Sequence, residues 1–240
     1  MAEIGGSAVA VKGRVVMVSG ANRGIGRAVA ERLYADGYSL SLGAREPECI
    51  AGFASERVLP HAFEATDPTQ AAAWIVATVE RFGRIDALVN NAGITREVTL
   101  AEGDEAALDE LWSVNVKAPF RLTRLALPHL CRGGQGRVVN IASLSGLRYK
   151  GGSAGYAMSK FAVSALSHAT RYAGWEDGVR VTTICPGPVA TDMAIGNFPM
   201  PPEEMTQPES IAELVSTVIA LPNTASVAVV PVNCVLEATV

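Results

Sequence analysis

The feature that most constrains this chain is the alternation of short apolar runs with longer amphipathic stretches. The runs are Val15–Ser19, Ser39–Ala44, Val58–Phe63, Ala87–Asn90, Arg137–Ala142, Val179–Cys185 and Val227–Val232. They show little polar alternation, the pattern of strands buried on both faces. Between them, Gly24–Asp36, Pro68–Phe82, Glu105–Leu130, Gly155–Gly174 and Ile211–Leu221 read as helices, with a break expected near Pro119. Strands separated by helices predict an α/β fold: one doubly wound domain, a parallel sheet of about seven strands with helices on both faces. At 240 residues and 49% hydrophobic, the chain can bury one sizeable core. Residues 1–12 read as a flexible N-terminal tail and 13–240 as the domain.

Charge and cysteine usage narrow the partners. The formal net charge is -4 and no basic block occurs, so no nucleic acid is expected. No apolar run reaches membrane-span length. The segment Met1–Ser7 has neither a charged start nor a long apolar stretch, so it does not read as a secretory signal. Cys49, Cys131, Cys185 and Cys234 form no C-x-x-C pair, and no histidine stands at metal-ligand spacing from them. A metal site is therefore not expected, and a reducing, cytoplasmic location is. Cys185 lies in an apolar run and reads as a small buried hydrophobe.

The first strand runs into Ser19-Gly20-Ala21-Asn22-Arg23-Gly24-Ile25-Gly26. A strand, a glycine turn and a helix in that order present free backbone N–H groups and a positive helix end to a pyrophosphate. Glycines matter there because a Cβ would hold the backbone away from the phosphates. This is the Rossmann-type arrangement, although the spacing is G-x-x-x-G-x-G and a glycine turn alone can be an ordinary tight turn. The second strand ends at Ala44, where an acid would bond a ribose 2′-hydroxyl, and Arg45 follows. Arg23 adds a second cation. Two arginines and no acid point to NADP(H) over NAD(H), since guanidinium–phosphate pairing is charge-assisted. Two alternatives stand beside this: Arg45 points into water, or a bulge brings Glu46 to the ribose and permits NAD use.

A second constellation carries chemistry. Asn91-Ala92-Gly93 follows the fourth strand, Asn115 lies in the long helix, and Ser143 follows the fifth strand. Tyr156 and Lys160 are one helical turn apart and share a face. A carbonyl that accepts hydride develops negative charge on oxygen and needs a proton donor. A cation beside a tyrosine favours the phenolate, so Lys160 is expected to lower the Tyr156 pKa. Lys160 can also reach a nicotinamide ribose, Ser143 can hold the substrate oxygen, and Asn115 can position a water behind Lys160. A Tyr–Lys pair alone can be a surface contact. The weight lies in four elements in order at strand ends, where ligands collect in an open parallel sheet.

These motifs resemble the short-chain dehydrogenase/reductase family over roughly Val11 to Asp192. The resemblance covers the Ser19–Gly26 turn, the N-N-A-G stretch Asn90–Gly93, Asn115, the spacing from Ser143 to Tyr156, and Tyr156-Ala-Met-Ser-Lys160. It also covers Pro186-Gly187-Pro188-Val189-Ala190-Thr191. It implies hydride exchange between nicotinamide and a carbonyl or alcohol, with Tyr156 as acid/base supported by Ser143, Lys160 and Asn115. It implies cofactor contacts from Gly20, Asn22, Arg23, Gly24, Ile25, Gly26, Arg45, Asn91, Ala92, Gly93, Tyr156, Lys160, Pro186, Gly187, Val189 and Thr191. It places Glu64 near adenine, a substrate lid at about 191–207, and a homo-oligomer, tetramer or dimer. The last strand departs from the family pattern: Ala225–Asn233 contains no glycine, and Pro231 suits a sheet edge, which leaves the oligomer less defined. The lid's Met193, Ile195, Phe198, Met200 and Met205 suit a compact hydrophobic or aromatic substrate or simply pack the lid onto the body. Two other readings are a non-redox enzyme on the same scaffold and a silent nucleotide-binding regulator. The retained glycines and Lys160 argue against the first, and the complete Ser143, Tyr156 and Lys160 set against the second.

Overall fold

Each residue of the first strand, β1 (Val15–Ser19), is buried, and successive side chains go to opposite faces. Val16 and Val18 join a core with helices α1 (Gly24–Asp36) and α6 (Pro208–Ala220). Met17 joins a second core with α2 (Pro68–Phe82) and α4 (Ala118–Arg132). The protein, described over residues 9–54 and 56–237 in a computed structural model, is therefore one sheet between two helical layers. The sheet has seven strands in the order β3-β2-β1-β4-β5-β6-β7, and every pairing is parallel. The remaining strands are β2 (Ser39–Ala44), β3 (Val58–Ala62), β4 (Ala87–Asn90), β5 (Arg137–Ile141), β6 (Arg180–Pro186) and β7 (Val229–Val232). Helices α3 (Glu105–Trp112) and α5 (Ala154–Gly174) complete the set. Among the described residues no helix is long and apolar enough to cross a membrane.

The order reverses between β1 and β4, so a crevice opens beyond the carboxyl ends of those strands. The Gly20 turn, Asn91, Ser143 and Pro186–Thr191 all lie at those ends. At the opposite end, Arg14 and Asp86 brace the strands. Asp86 accepts from the Val15 N–H at 2.8 Å and from Arg84, while Arg14 donates to the Gln135 carbonyl at 2.9 Å.

The predicted strands appear with ends shifted by a residue or two. Three expectations change. Helix α6 begins at Pro208 rather than Ile211, because a proline at the first helical position gives up an N–H that has no helical partner anyway. Pro119 does not break the long helix. A π-helical segment, Ser113–Lys117, joins α3 to α4, with the Ala118 N–H bonded to the Ser113 carbonyl. Pro119 has no N–H for the Asn115 carbonyl, so the ordinary α-helical bond cannot form there and the wider turn absorbs the loss. Of the expected tail, residues 1–8 lie outside the described residues. Val9 is buried and its N–H donates to the Ala220 carbonyl at 2.8 Å, which ties that end to α6. Pro231 does sit on an edge strand, opposite Cys185.

Gly43 shows how tightly the second face is filled. A Cβ there would lie 2.6–2.9 Å from the Trp74 indole. That ring cannot swing away easily, since its Nε1 donates to the Ser41 hydroxyl at 2.8 Å. Gly43→Ala is expected to lower unfolding stability by about 1–3 kcal/mol, as overpacking does. Urea denaturation checks it, and an unchanged midpoint and slope contradict this packing.

Candidate active site

The glycine turn is shaped by its neighbours. Gly20 and Gly24 have φ of +68° and +53°, a region that side-chain-bearing residues rarely enter. At Gly26 a Cβ would collide with the Gly20 carbonyl and come within 2.5 Å of Asn91 Nδ2. The turn is held from behind: the Ser19 hydroxyl accepts from the Asn91 and Ala92 N–H groups at 3.0 and 3.1 Å. The Asn91 amide donates to the Ser19 and Gly20 carbonyls at 2.9 and 3.2 Å. The side chain of Asn91, expected at the cofactor, thus braces the turn and leaves only its backbone to face a ligand.

Helices α2, α3 and α5 begin with a capping side chain: Asp67, Asp104 and Ser153. At α1 the cap position is Arg23, whose side chain makes no cap bond, and no acid lies in the first turn. The free N–H groups of α1 beside a turn kept clear of Cβ atoms fit a pyrophosphate. Asn22 and Ile25 are half-buried at that turn. Nicotinamide dinucleotide therefore fits the residues present.

The ribose end is more open. Arg45 is exposed and makes no ion pair among the described residues. Glu46 accepts from the Cys49 thiol at 3.6 Å. Arg23 pairs with Asp192 at 2.9 Å, an acid that the sequence reading overlooked. Both partners are largely exposed, so this pair is weak and readily exchanged. Glu64, at the end of β3, accepts from the Thr66 N–H and hydroxyl at 3.3 Å.

The second constellation comes together around α5. Ser153 caps the helix by accepting from the Tyr156 N–H at 3.1 Å, which fixes where Tyr156 emerges. Lys160 is buried, donates to the Ile141 carbonyl at 3.1 Å, and places Nζ 5.6 Å from the Tyr156 ring centre. Ser143 accepts from the Ser145 N–H at 3.1 Å and opens a short 3-10 turn, Leu144–Gly146.

The expected electrostatics need correction. Burial pushes the Tyr156 phenol up to about 12, and only the hydrogen bond with Ser143 pulls it down. Burial also brings Lys160 down to about 8. Burial disfavours phenolate and ammonium alike. Desolvation dominates at the phenol, and one N–H of Lys160 is spent on the Ile141 carbonyl. Cys185, behind Lys160, is likewise pushed up to about 11 by burial, which fits an inert thiol.

Asn115 also differs from expectation. Its Oδ1 accepts from the Ile94 N–H at 2.9 Å, and its Nδ2 donates to the Ile94 carbonyl and the Ser159 hydroxyl, both at 3.0 Å. Ser159 in turn donates to the Tyr156 carbonyl at 2.7 Å. The side chain is a brace between the Gly93–Ile94 backbone and α5, with no donor left to hold a water. Ser159 was missed in the sequence, although its place three residues after Tyr156 sets it on the helix face toward Asn115.

The Pro186–Thr191 stretch closes the far side. Gly187 donates its N–H to the Val232 carbonyl at 2.8 Å. Val189 is buried and bridges to Thr206. A Cβ on Gly24 would lie 3.1 Å from the Thr191 methyl, so this stretch reaches the glycine turn. In the segment 191–207, Ala194 and Met205 are buried while Met193, Ile195 and Phe198 are exposed.

The chain is similar to known proteins. A family model described as short chain dehydrogenase matches residues 14–201. An agropine synthesis reductase of Rhizobium rhizogenes is 45% identical over 227 residues, which are 93% of this chain and 53% of that protein. The chain thus spans about half the length of that curated relative. A levodione reductase of Leifsonia aquatica is 35% identical over 189 residues, 75% of this chain and 71% of that protein. Among solved structures, an alcohol dehydrogenase from the archaeon Thermococcus sibiricus, complexed with 5-hydroxy-NADP, superposes with a TM-score of 0.85 at 30% identity. That match covers 93% of this chain and 97% of the other. A doubly wound sheet, a cleared glycine turn and reductase relatives agree, and the chain belongs to the short-chain dehydrogenase family of oxidoreductases.

Proposed function

We propose that the protein is an NADP(H)-dependent carbonyl reductase or alcohol dehydrogenase in which Tyr156 is the general acid/base. The observation that carries this reading is the meeting of Ser143, Tyr156 and Lys160 at one crevice beside a turn cleared for a dinucleotide. When bound, the nicotinamide supplies or accepts a hydride at the substrate carbon. The chain handles the oxygen. A phenol with its pKa near 12 stays protonated at neutral pH and can donate to a carbonyl oxygen during reduction. Ser143 holds that oxygen by a hydrogen bond. Lys160 is opposite in sign to the phenolate that forms and stabilises it most in the transition state. Asn115 and Ser159 keep α5 in register with the Gly93 backbone.

For the cofactor we assign the turn Gly20–Gly26, Arg45, the backbone of Asn91–Gly93, and Pro186, Gly187, Val189 and Thr191. Three observations support NADP(H): no acid at Ala44, an exposed Arg45 with no ion pair among the described residues, and Glu46 turned toward Cys49. Arg23 would exchange its exposed Asp192 partner for a 2′-phosphate. NADPH is expected to bind at least about tenfold tighter than NADH, the scale of one charge-assisted pair. Fluorescence titration with both nucleotides tests this, and equal affinities contradict it. Segment 191–207 acts as the substrate lid. Exposed Trp112, Phe120, Met158 and Phe161 on α3, α4 and α5 support association into a dimer or tetramer. Four free cysteines agree with a reducing, cytoplasmic setting.

A further inference from the structure

The segment after β7 touches the Pro186–Thr191 stretch, the 191–207 segment and the loop between Ser143 and Tyr156. Asn233 lies against Gly187, where a Cβ would come within 2.6 Å of its Oδ1 and 3.2 Å of Leu144. Cys234 Sγ lies 4.0 Å from the Pro188 carbonyl and 3.7 Å from Met200 Sδ in the lid. Glu237 then reaches the loop between Ser143 and Tyr156. Arg148 grips its carboxylate with two N–H groups, one of them Nε at 2.9 Å, and Lys150 Nζ lies 3.4 Å away.

These contacts differ greatly in strength. Among the described residues the buried Asn233 amide has no hydrogen-bond partner on either polar atom, an unfavourable state. Val235 is half-exposed and Leu236 fully exposed, so apolar burial adds little. The sulfur contacts are weak. The Arg148–Glu237 pair is two-pronged and shielded, with side chains only 21% and 11% exposed. A charge-assisted fork of that kind is a strong attachment. Opening the segment would let water reach Asn233 and would break the pair. The ion pair is therefore what keeps the segment down.

We propose that residues 233–237 form a strap over the substrate crevice, latched by Glu237 on Arg148 and Lys150, and that this latch sets how large a carbonyl substrate the site admits. The size claim rests on the carbonyl-reductase reading; the latch does not. The test uses the full chain and the variants Glu237→Gln, Arg148→Gln and the swap Arg148→Glu with Glu237→Arg. Hydrogen exchange at the Gly187 amide, whose bond to the Val232 carbonyl lies where the segment begins, should rise about tenfold in each single variant and return toward wild type in the swap. In the same variants kcat/KM for bulky benzil should change at least about fivefold relative to small butane-2,3-dione, through KM. The kcat for butane-2,3-dione should stay near wild type, and the swap should restore the ratio. Unchanged exchange overturns the latch. Faster exchange with an unchanged benzil ratio overturns its role in selectivity. If wild-type protein turns over neither diketone but exchange responds as stated, the latch stands and the carbonyl-reductase reading is what fails.

Discussion

Replacing Tyr156 by Phe is expected to reduce kcat for carbonyl reduction by about 10²–10⁴-fold, the usual worth of a positioned proton donor. NADPH affinity should stay within about threefold, since the change removes one hydroxyl and leaves the glycine turn and Arg45 untouched. The fold should not suffer, because the change removes one hydroxyl whose partner among the described residues is Ser143. Steady-state kinetics with a nucleotide titration on the same preparation separates the outcomes. Retained turnover would remove Tyr156 from the chemistry. Lost nucleotide binding would mean that the substitution acted through structure.

Lys160→Met should cut activity by about 10²-fold or more, by removing the cation that faces the developing phenolate, and should make the protein more stable at neutral pH. The sign follows from linkage. The Lys160 pKa is about 8 in the folded chain against an ordinary value of 10.5, so the unfolded chain holds more protons between those pH values. Wild-type stability therefore rises as pH climbs from about 8 to 10.5, and the full penalty, on the order of 3 kcal/mol, applies below 8. Methionine removes that penalty and leaves the Ile141 carbonyl without its lysine donor, which offsets part of the gain. A net increase of about 1–2 kcal/mol at pH 7 is expected by denaturant unfolding, shrinking toward pH 10. The reductase rate of wild type should fall above about pH 8, where Lys160 loses its charge. A variant less stable than wild type at pH 7 contradicts the burial argument.

The fold was legible because buried parallel strands leave nearly continuous apolar runs, and β1, β2, β4, β5 and β6 are of that kind, while the edge strand β3 is buried only at Val58. The site was legible where chemistry needs a side chain at a fixed spacing: Ser143, Tyr156, Lys160 and the glycines. Other features were hidden because they depend on three-dimensional neighbours. The roles of Asn91 and Asn115 as braces appear only when the Ser19, Gly20, Ile94 and Ser159 partners are placed around them. The pKa directions of Tyr156 and Lys160 depend on how dry the crevice is, and a helical spacing carries no information about that. The π-helical segment follows from Pro119, but a proline signal does not distinguish a break from a wider turn. Arg148 and Glu237 are distant in sequence, and nothing in either one's surroundings marks the other.

The most direct measurement of the central claim follows one hydrogen. Wild-type protein is incubated with an aldehyde and ketone panel and NADPH deuterated at the nicotinamide C4, and the alcohols are analysed by mass spectrometry and NMR. The account predicts deuterium on the carbinol carbon, a solvent-derived hydrogen on oxygen, and no product with Tyr156→Phe beyond a trace. NADPH that binds but leaves every carbonyl unreduced, or product formed equally well without the Tyr156 hydroxyl, would contradict it.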